Sequence, residues 1–133
     1  AAMSARRTCD CSADTRTLLA CSGASNVGQI TNDVAKELDA AGEARFFCLA
    51  GVGGHVGGMI ESVRGASQVV VLDGCPVACA RKTMEAAGLT NYEYVVVTDL
   101  GVEKTHNFNL AADDLARTRA AVRAKLGPAA CKP

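Results

Sequence analysis

The chain has 133 residues, of which 14 are basic, 14 are acidic and 49% are hydrophobic. This length and balance indicate one folded domain and exclude a disordered chain or a coiled coil. No nucleic-acid partner is expected, because a domain that follows a phosphate backbone carries an excess of basic residues. The longest apolar runs have about five residues against the roughly 20 that cross a bilayer, so no membrane partner is expected.

Short apolar runs alternate with helical stretches along the chain, as in the βα units of a parallel sheet. The predicted strands are residues 17–20, 45–49, 68–72 and 93–97, and the predicted helices are 27–41, 55–62, 77–87 and 111–126. Gly42, Gly65 and Gly88 stand where helices end, and left-handed caps are expected there. The pattern predicts an α/β fold, a three-layer sandwich in which a mainly parallel four-stranded sheet carries helices on both faces.

The two ends of the chain lie outside these elements. Residues 1–14 are predicted to form a flexible N-terminal tail, residues 15–127 the α/β domain, and residues 128–133 a C-terminal tail. Ala1 and Ala2 are interpreted as residues derived from an expression vector, ahead of a native start at Met3.

Seven cysteines are the unusual feature of the composition. Their odd number, the absence of a signal-like start and the size of the expected core do not favour a disulfide framework. We therefore expect reduced thiols and a cytoplasmic location. Thiols in such number are typical of metal binding or of thiol chemistry.

Three of the cysteines follow a regular spacing, because Cys21, Cys48 and Cys75 lie 27 residues apart. Each comes at or just after the end of a predicted strand, and the carboxyl ends of parallel strands share one edge of the sheet. Open α/β sheets bind their ligands at this edge. Cys79 follows in the first turn of the next helix, where Pro76 is well suited to a helix start. We expect the four thiols to meet there.

Four segments of the chain together resemble one known family. They are CSGASNVG at residues 21–28, FCLAGVGG at 47–54, DGCPVACA at 73–80 and TDLG at 98–101. Across nearly its whole length the chain is similar to the DGC-domain family, whose members are described as zinc-binding on the strength of their cysteine pattern. The resemblance implies that the metal ligands are Cys21, Cys48, Cys75 and Cys79. It implies no reaction.

Zinc is the expected cofactor, because four thiolates at about 2.3 Å form the tetrahedral site that this ion prefers. A four-iron cluster is also held by four cysteines, so an iron–sulfur protein is an alternative. If the first strand lies between the second and the third, Cys48 and Cys75 start about 10 Å apart, and side chains and loops must close this gap. A closed four-thiolate site suits a structural or metal-handling role better than hydrolysis. A metal ion is thus the expected partner, and no protein partner is indicated.

A thiol enzyme is the alternative from another class. Cys21 ends a strand before a helix, where the amides of residues 23–28 and the helix terminus could hold an anion and activate the thiol. Thiol redox or sulfur-transfer chemistry would then use Cys21 as nucleophile and Cys75 or Cys79 as the resolving thiol. A phosphatase is not favoured, because Val27 stands where that chemistry needs an arginine. The sequence leaves open whether the protein is an enzyme.

Other residues near the expected site have no fixed role. The glycine-rich segment 51–58 fits neither a dinucleotide fingerprint nor a phosphate-binding loop, and we expect it to fold as a tight loop over the cysteines. His55 within it is either a further ligand or base, or a surface residue at a helix start. Cys9 and Cys11 are either auxiliary ligands, a resolving dithiol or part of a mobile tail, and Cys131 is expected to be a free terminal thiol.

The two outer cysteines of the expected site differ in their predicted surroundings. Cys48 is expected inside the strand 45–49 of a sheet covered on both faces, where a larger side chain would strain the packing. Cys79 is expected in an exposed first turn, where serine is well tolerated.

Overall fold

The structure is a computed structural model that describes residues 15–127. The predictions for the tails, residues 1–14 and 128–133, lie outside these residues. The same holds for Cys9, Cys11 and Cys131.

The described chain forms four strands and five helices, two of which follow one another between the second and third strands. The strands are β1 (Arg16–Ala20), β2 (Arg45–Phe47), β3 (Gln68–Asp73) and β4 (Glu93–Val96). The helices are α1 (Asn26–Ala40), α2 (Leu49–Gly53), α3 (Gly57–Arg64), α4 (Cys79–Ala86) and α5 (Ala112–Leu126), and a 3-10 turn (Val97–Leu100) follows β4. No helix of residues 15–127 has the length and apolar character needed to cross a membrane.

The strands form one sheet in the order β2-β1-β3-β4, and every pairing in it is parallel. Leu19 of β1 is in register with Phe47 of β2 and with Val71 of β3. The predicted α/β fold is therefore confirmed, with β1 between β2 and β3. The central strands are continuous apolar runs because helices cover both of their faces.

Two apolar clusters cover the two faces of the sheet, because successive side chains of a strand point to opposite sides. On the first face, Leu18 and Leu72 pack with residues of α1 and α5. On the second face, Leu19 and Val71 pack with residues of α2, α3 and α4. These clusters are the two interfaces between the sheet and the helix layers of a three-layer sandwich.

The segment between β2 and β3 differs from the prediction. Strand β2 stops at Phe47, so Cys48 is not inside a strand but exposed at the start of α2. The expected glycine-rich loop over residues 51–58 is also wrong at both of its ends, since Leu49–Gly53 and Gly57–Arg64 are helical and only residues 54–56 join them. The reason is packing: a Cβ on Gly51 would collide with the Met59 side chain, so this glycine permits the contact between α2 and α3.

The expected glycine caps are confirmed at two of three positions. Gly42 and Gly88 both have φ of 75°, as left-handed caps require. Gly65 ends α3 with φ of −87° in the right-handed region, so the prediction of a left-handed cap is wrong there. The Gly65 amide instead donates to the Glu61 carbonyl, which continues the helical pattern by one residue.

Candidate functional site

The four cysteines of the candidate site lie at the carboxyl edge of three neighbouring strands. Cys21 follows β1, Cys48 follows β2, Cys75 lies two residues beyond β3, and Cys79 is the first residue of α4. All four are free thiols, with Cys21 and Cys75 partly buried and Cys48 and Cys79 exposed. Parallel pairing accounts for the shared edge.

Cys21 and Cys48 line one cavity of about 360 Å³. Most of its wall is apolar, and the remaining lining residues are Ala20, Ser22, Phe46, Phe47, Leu49, Ala50, Gly53 and Thr83. Thr83 belongs to α4 and lies one helical turn after Cys79, to whose carbonyl its hydroxyl donates at 2.8 Å. Residues four apart share a helix face, so Cys79 lies on the side of α4 that borders this cavity.

Cys75 lies toward the other face of the sheet. It packs against the first apolar cluster, whereas Cys21 packs against the second. The Lys104 ammonium donates to the Cys75 sulfur at 3.5 Å, so this thiol has a positive charge beside it. The sequence places Lys104 after the fourth strand and therefore at this same edge, but it indicates only a surface loop residue.

A buried asparagine holds Lys104 in this place. The Asn26 side chain donates to the Glu103 carbonyl at 2.8 Å and accepts from the Thr105 amide at 2.6 Å. The Asn26 amide in turn donates to the Thr105 carbonyl at 3.0 Å. Asn26 is the first residue of α1, so the beginning of this helix fixes the residues on both sides of Lys104.

The loop between Cys21 and α1 already uses half of the six amides, those of residues 23–28, that a nucleophilic Cys21 would offer to an anion. Its amides at Ser25, Asn26 and Gly28 already donate to Gly23, Thr105 and the Ser25 hydroxyl, respectively. An anion could use these three amides only by replacing their present bonds. The Cys21 sulfur itself lies 3.7 Å from the Thr31 hydroxyl of α1.

Asp73, the last residue of β3, is a buried carboxylate that the sequence did not single out for any role. It accepts hydrogen bonds from the amides of Ala80 and Arg81 and from the Tyr94 hydroxyl. Burial, and next the hydrogen bond to Asp73, raise the pKa of Tyr94. The signal was present in the sequence as an aspartate at the end of an otherwise apolar strand.

His55 occupies the turn between α2 and α3. It is exposed and has φ of 58°, and its amide donates to the Val52 carbonyl at 3.0 Å. From the sequence, His55 is expected at the start of a helix. Helix α3 begins two residues later, so His55 lies just before it. The structure agrees with the interpretation of His55 as a surface residue.

The thiols do not form a ready-made metal centre. Among residues 15–127, no three His, Cys, Asp or Glu side chains lie close enough together to hold a metal ion. Zinc needs four sulfurs at about 2.3 Å from the ion and hence roughly 3.8 Å from one another. The packing of Cys21 and Cys75 against opposite faces explains why the present arrangement does not meet this requirement.

The protein is thus a parallel α/β sandwich that carries free cysteines along the carboxyl edge of its sheet. The family model of the DGC domain matches residues 17–122, and the chain belongs to this family. It is 35% identical over 98 residues to the anaerobic and virulence modulator AnvM of Pseudomonas aeruginosa, a match that covers 74% of this chain and 75% of AnvM. A search of solved structures gave no match. Membership of the DGC family is consistent with a metal-binding role.

Proposed function

We propose that this protein binds a soft metal ion, zinc in the first place, through the thiolates of Cys21, Cys48, Cys75 and Cys79. The observation that carries the proposal is the cavity that Cys21 and Cys48 line together, with Thr83 of α4, one helical turn after Cys79, in its wall. Cys75 lies at the same sheet edge, two residues beyond β3. Thiolates are the ligands that zinc and other soft metals prefer.

Within this proposal, metal handling is favoured over a structural role. A structural zinc site is closed and its loss unfolds the domain. Here two of the four thiols are exposed, and apolar clusters on both sheet faces form the core. We infer that the metal is a cargo that enters and leaves while the sandwich persists.

In this proposal Lys104 offsets part of the negative charge of the thiolates. Four thiolates carry more negative charge than one divalent ion neutralises, and the Lys104 ammonium stands 3.5 Å from the Cys75 sulfur. A positive charge at this distance offsets part of the excess. Reduced thiols are required throughout, which agrees with our expectation of a cytoplasmic location.

The cavity also favours a second candidate function, a thiol enzyme for redox or sulfur-transfer chemistry. At about 360 Å³ it falls within the range of small-molecule pockets, roughly 300 to 1,000 Å³. A substrate in it would lie beside Cys21, the proposed nucleophile, and Cys48. The occupied amides of the neighbouring loop argue against an anionic substrate, so this candidate ranks below metal binding.

The deciding experiment is a titration of the reduced full-length chain with Co²⁺ and Zn²⁺ in the absence of oxygen. We expect one metal ion per chain, sulfur-to-cobalt charge-transfer absorption, and protection of the four cysteines from alkylation. Iron and inorganic sulfide in protein purified without oxygen would identify the cluster alternative instead.

The matched controls are the thiols outside the described residues. Cys131→Ser and the double variant Cys9→Ser/Cys11→Ser are expected to bind the ion as the parent does. Alkylation of all four site cysteines at unchanged rates with metal present would refute metal binding, and would leave the thiol enzyme as the better candidate.

A further inference from the structure

We propose that Asp73 is a positioning residue that holds Cys79 in place by capping the first turn of α4 across the loop between them. The inference rests on the proposed function, because it concerns one of the proposed ligands. It assigns the aspartate of the DGC tripeptide a task of its own.

Asp73 is bound from two sides. Its Oδ1 accepts from the Ala80 amide at 2.8 Å and its Oδ2 from the Arg81 amide at 3.0 Å. Oδ2 also accepts from the Tyr94 hydroxyl of β4 at 2.7 Å. The residue is only 1% exposed. A buried carboxylate is tolerated only where hydrogen bonds replace its water, and these three bonds do so.

Helix α4 needs a capping side chain from elsewhere, because its own N-cap residue has no side-chain hydrogen-bond acceptor. That residue is Ala78, which has φ of 61° and makes no side-chain cap hydrogen bond. The first amides of a helix have no partner within the helix, and a side-chain oxygen normally accepts from the second or third residue. In α4 these are Ala80 and Arg81, the two amides that Asp73 accepts.

The loop between the cap and the helix carries both cysteines of the motif. It leaves the sheet at Asp73, passes Cys75, and returns at Ala80, directly after Cys79. Inside it the Ala78 amide donates to the Cys75 carbonyl at 3.1 Å. One carboxylate therefore closes a loop whose two thiols must keep a set distance to serve one site. Losing the bonds to Ala80 and Arg81 releases Cys79 while leaving the strand end in place.

Asp73 acts through Cys79 and is not itself a ligand in this inference. Both of its oxygens already accept hydrogen bonds from protein groups. Residues that orient metal ligands in this way typically contribute about 10-fold to 100-fold to metal affinity.

The test compares Zn²⁺ affinity by chelator competition in the parent protein, Asp73→Asn, Cys79→Ser and the double variant. We expect Asp73→Asn to weaken binding about 10-fold to 100-fold in the parent background. It should add nothing in the Cys79→Ser background, where the residue to be positioned has lost its thiol. Asp99→Asn is the matched control, an exposed carboxylate at the same sheet edge, and should bind zinc like the parent. An equal loss with and without Cys79 would overturn the inference, since a general loss of stability acts in both backgrounds.

Amide hydrogen exchange of the metal-free protein tests the capping separately from metal binding. The Ala80 and Arg81 amides should exchange faster in Asp73→Asn than in the parent, whereas unchanged exchange would overturn the inference. If the parent binds no zinc but the two amides exchange faster in Asp73→Asn, the proposed function is refuted while the capping role of Asp73 is supported. Should Asp73→Asn not fold, Asp73→Glu keeps the charge, displaces the cap, and carries both comparisons.

Discussion

Gly74 lies so close to Gly28 that a Cβ on Gly74 would stand 2.8 Å from the Gly28 nitrogen. The carbonyl carbon of Val27 would be at the same distance. The central glycine of the DGC tripeptide is therefore the point where the loop after β3 touches the first turn of α1. This contact brings the segment of Cys75 against the segment that follows Cys21.

Replacing Gly74 by alanine should destabilise the protein by about 1 to 3 kcal/mol, because the backbone of α1 cannot move away from the added methyl group. The measurement is urea-induced unfolding followed by circular dichroism. Gly58→Ala is the control, since a Cβ there meets nothing within 4 Å. It should stabilise α3 by about 0.5 to 1 kcal/mol. Equal stability of Gly74→Ala and the parent would contradict the close contact.

Ionisation of Tyr94 should lower the stability of the protein at high pH. Burial and the bond to Asp73 raise its pKa in the folded state, so the folded protein keeps a proton that the unfolded chain loses. Its stabilising contribution is complete below the unfolded value of about 10 and is lost as the pH rises through the folded value. Unfolding midpoints measured from pH 8 to 11 should fall less steeply in Tyr94→Phe. The same slope in both proteins would show that Tyr94 ionises freely in the fold.

Asn26→Ala should release the segment around Lys104. The substitution leaves the Thr105 amide and the Glu103 carbonyl without their present side-chain partner, at a cost of about 1 to 3 kcal/mol. Asn32→Ala, which removes only an exposed bond to Ser22, is the control and should cost less than about 0.5 kcal/mol. Thermal unfolding of the two variants measures both losses of stability. If the Thr105 amide exchanges its hydrogen at the same rate in Asn26→Ala as in the parent, the Asn26 side chain does not hold this segment.

Cys48→Ser and Cys79→Ser should each leave the fold intact, because both thiols are exposed. We expect stability changes below about 0.5 kcal/mol for the metal-free proteins. The earlier expectation that a larger side chain at position 48 strains the sheet no longer applies, since Cys48 lies beyond β2. Both variants should bind Co²⁺ more weakly, with reduced sulfur-to-cobalt absorption. Unchanged affinity in Cys79→Ser would remove Cys79 from the ligand set.

The parallel pairing of the strands was predictable from the sequence because it follows from local pattern and chain geometry, whereas their order entered only as a condition. Apolar runs at βα spacing imply a parallel sheet, and parallel strands end at a common edge. The spacing of Cys21, Cys48 and Cys75 thus placed them at that edge. The ends of elements were less predictable, as at Cys48, because the extent of β2 depends on where α2 begins to pack.

Which residues contact each other at the edge was decided only by the tertiary structure. No local pattern links Lys104 to Cys75 or Asn26 to Thr105, since these partners are far apart in the chain and meet through the packing of α1. The same holds for the side of the sheet on which each thiol packs, because a turn of irregular backbone between Asp73 and Cys79 interrupts the alternation of the strand. Sequence by itself determined the class of fold, the family and the edge that carries the thiols. Only the three-dimensional packing decided that Asp73 caps α4, because that bond joins the end of a strand to the helix after an irregular loop.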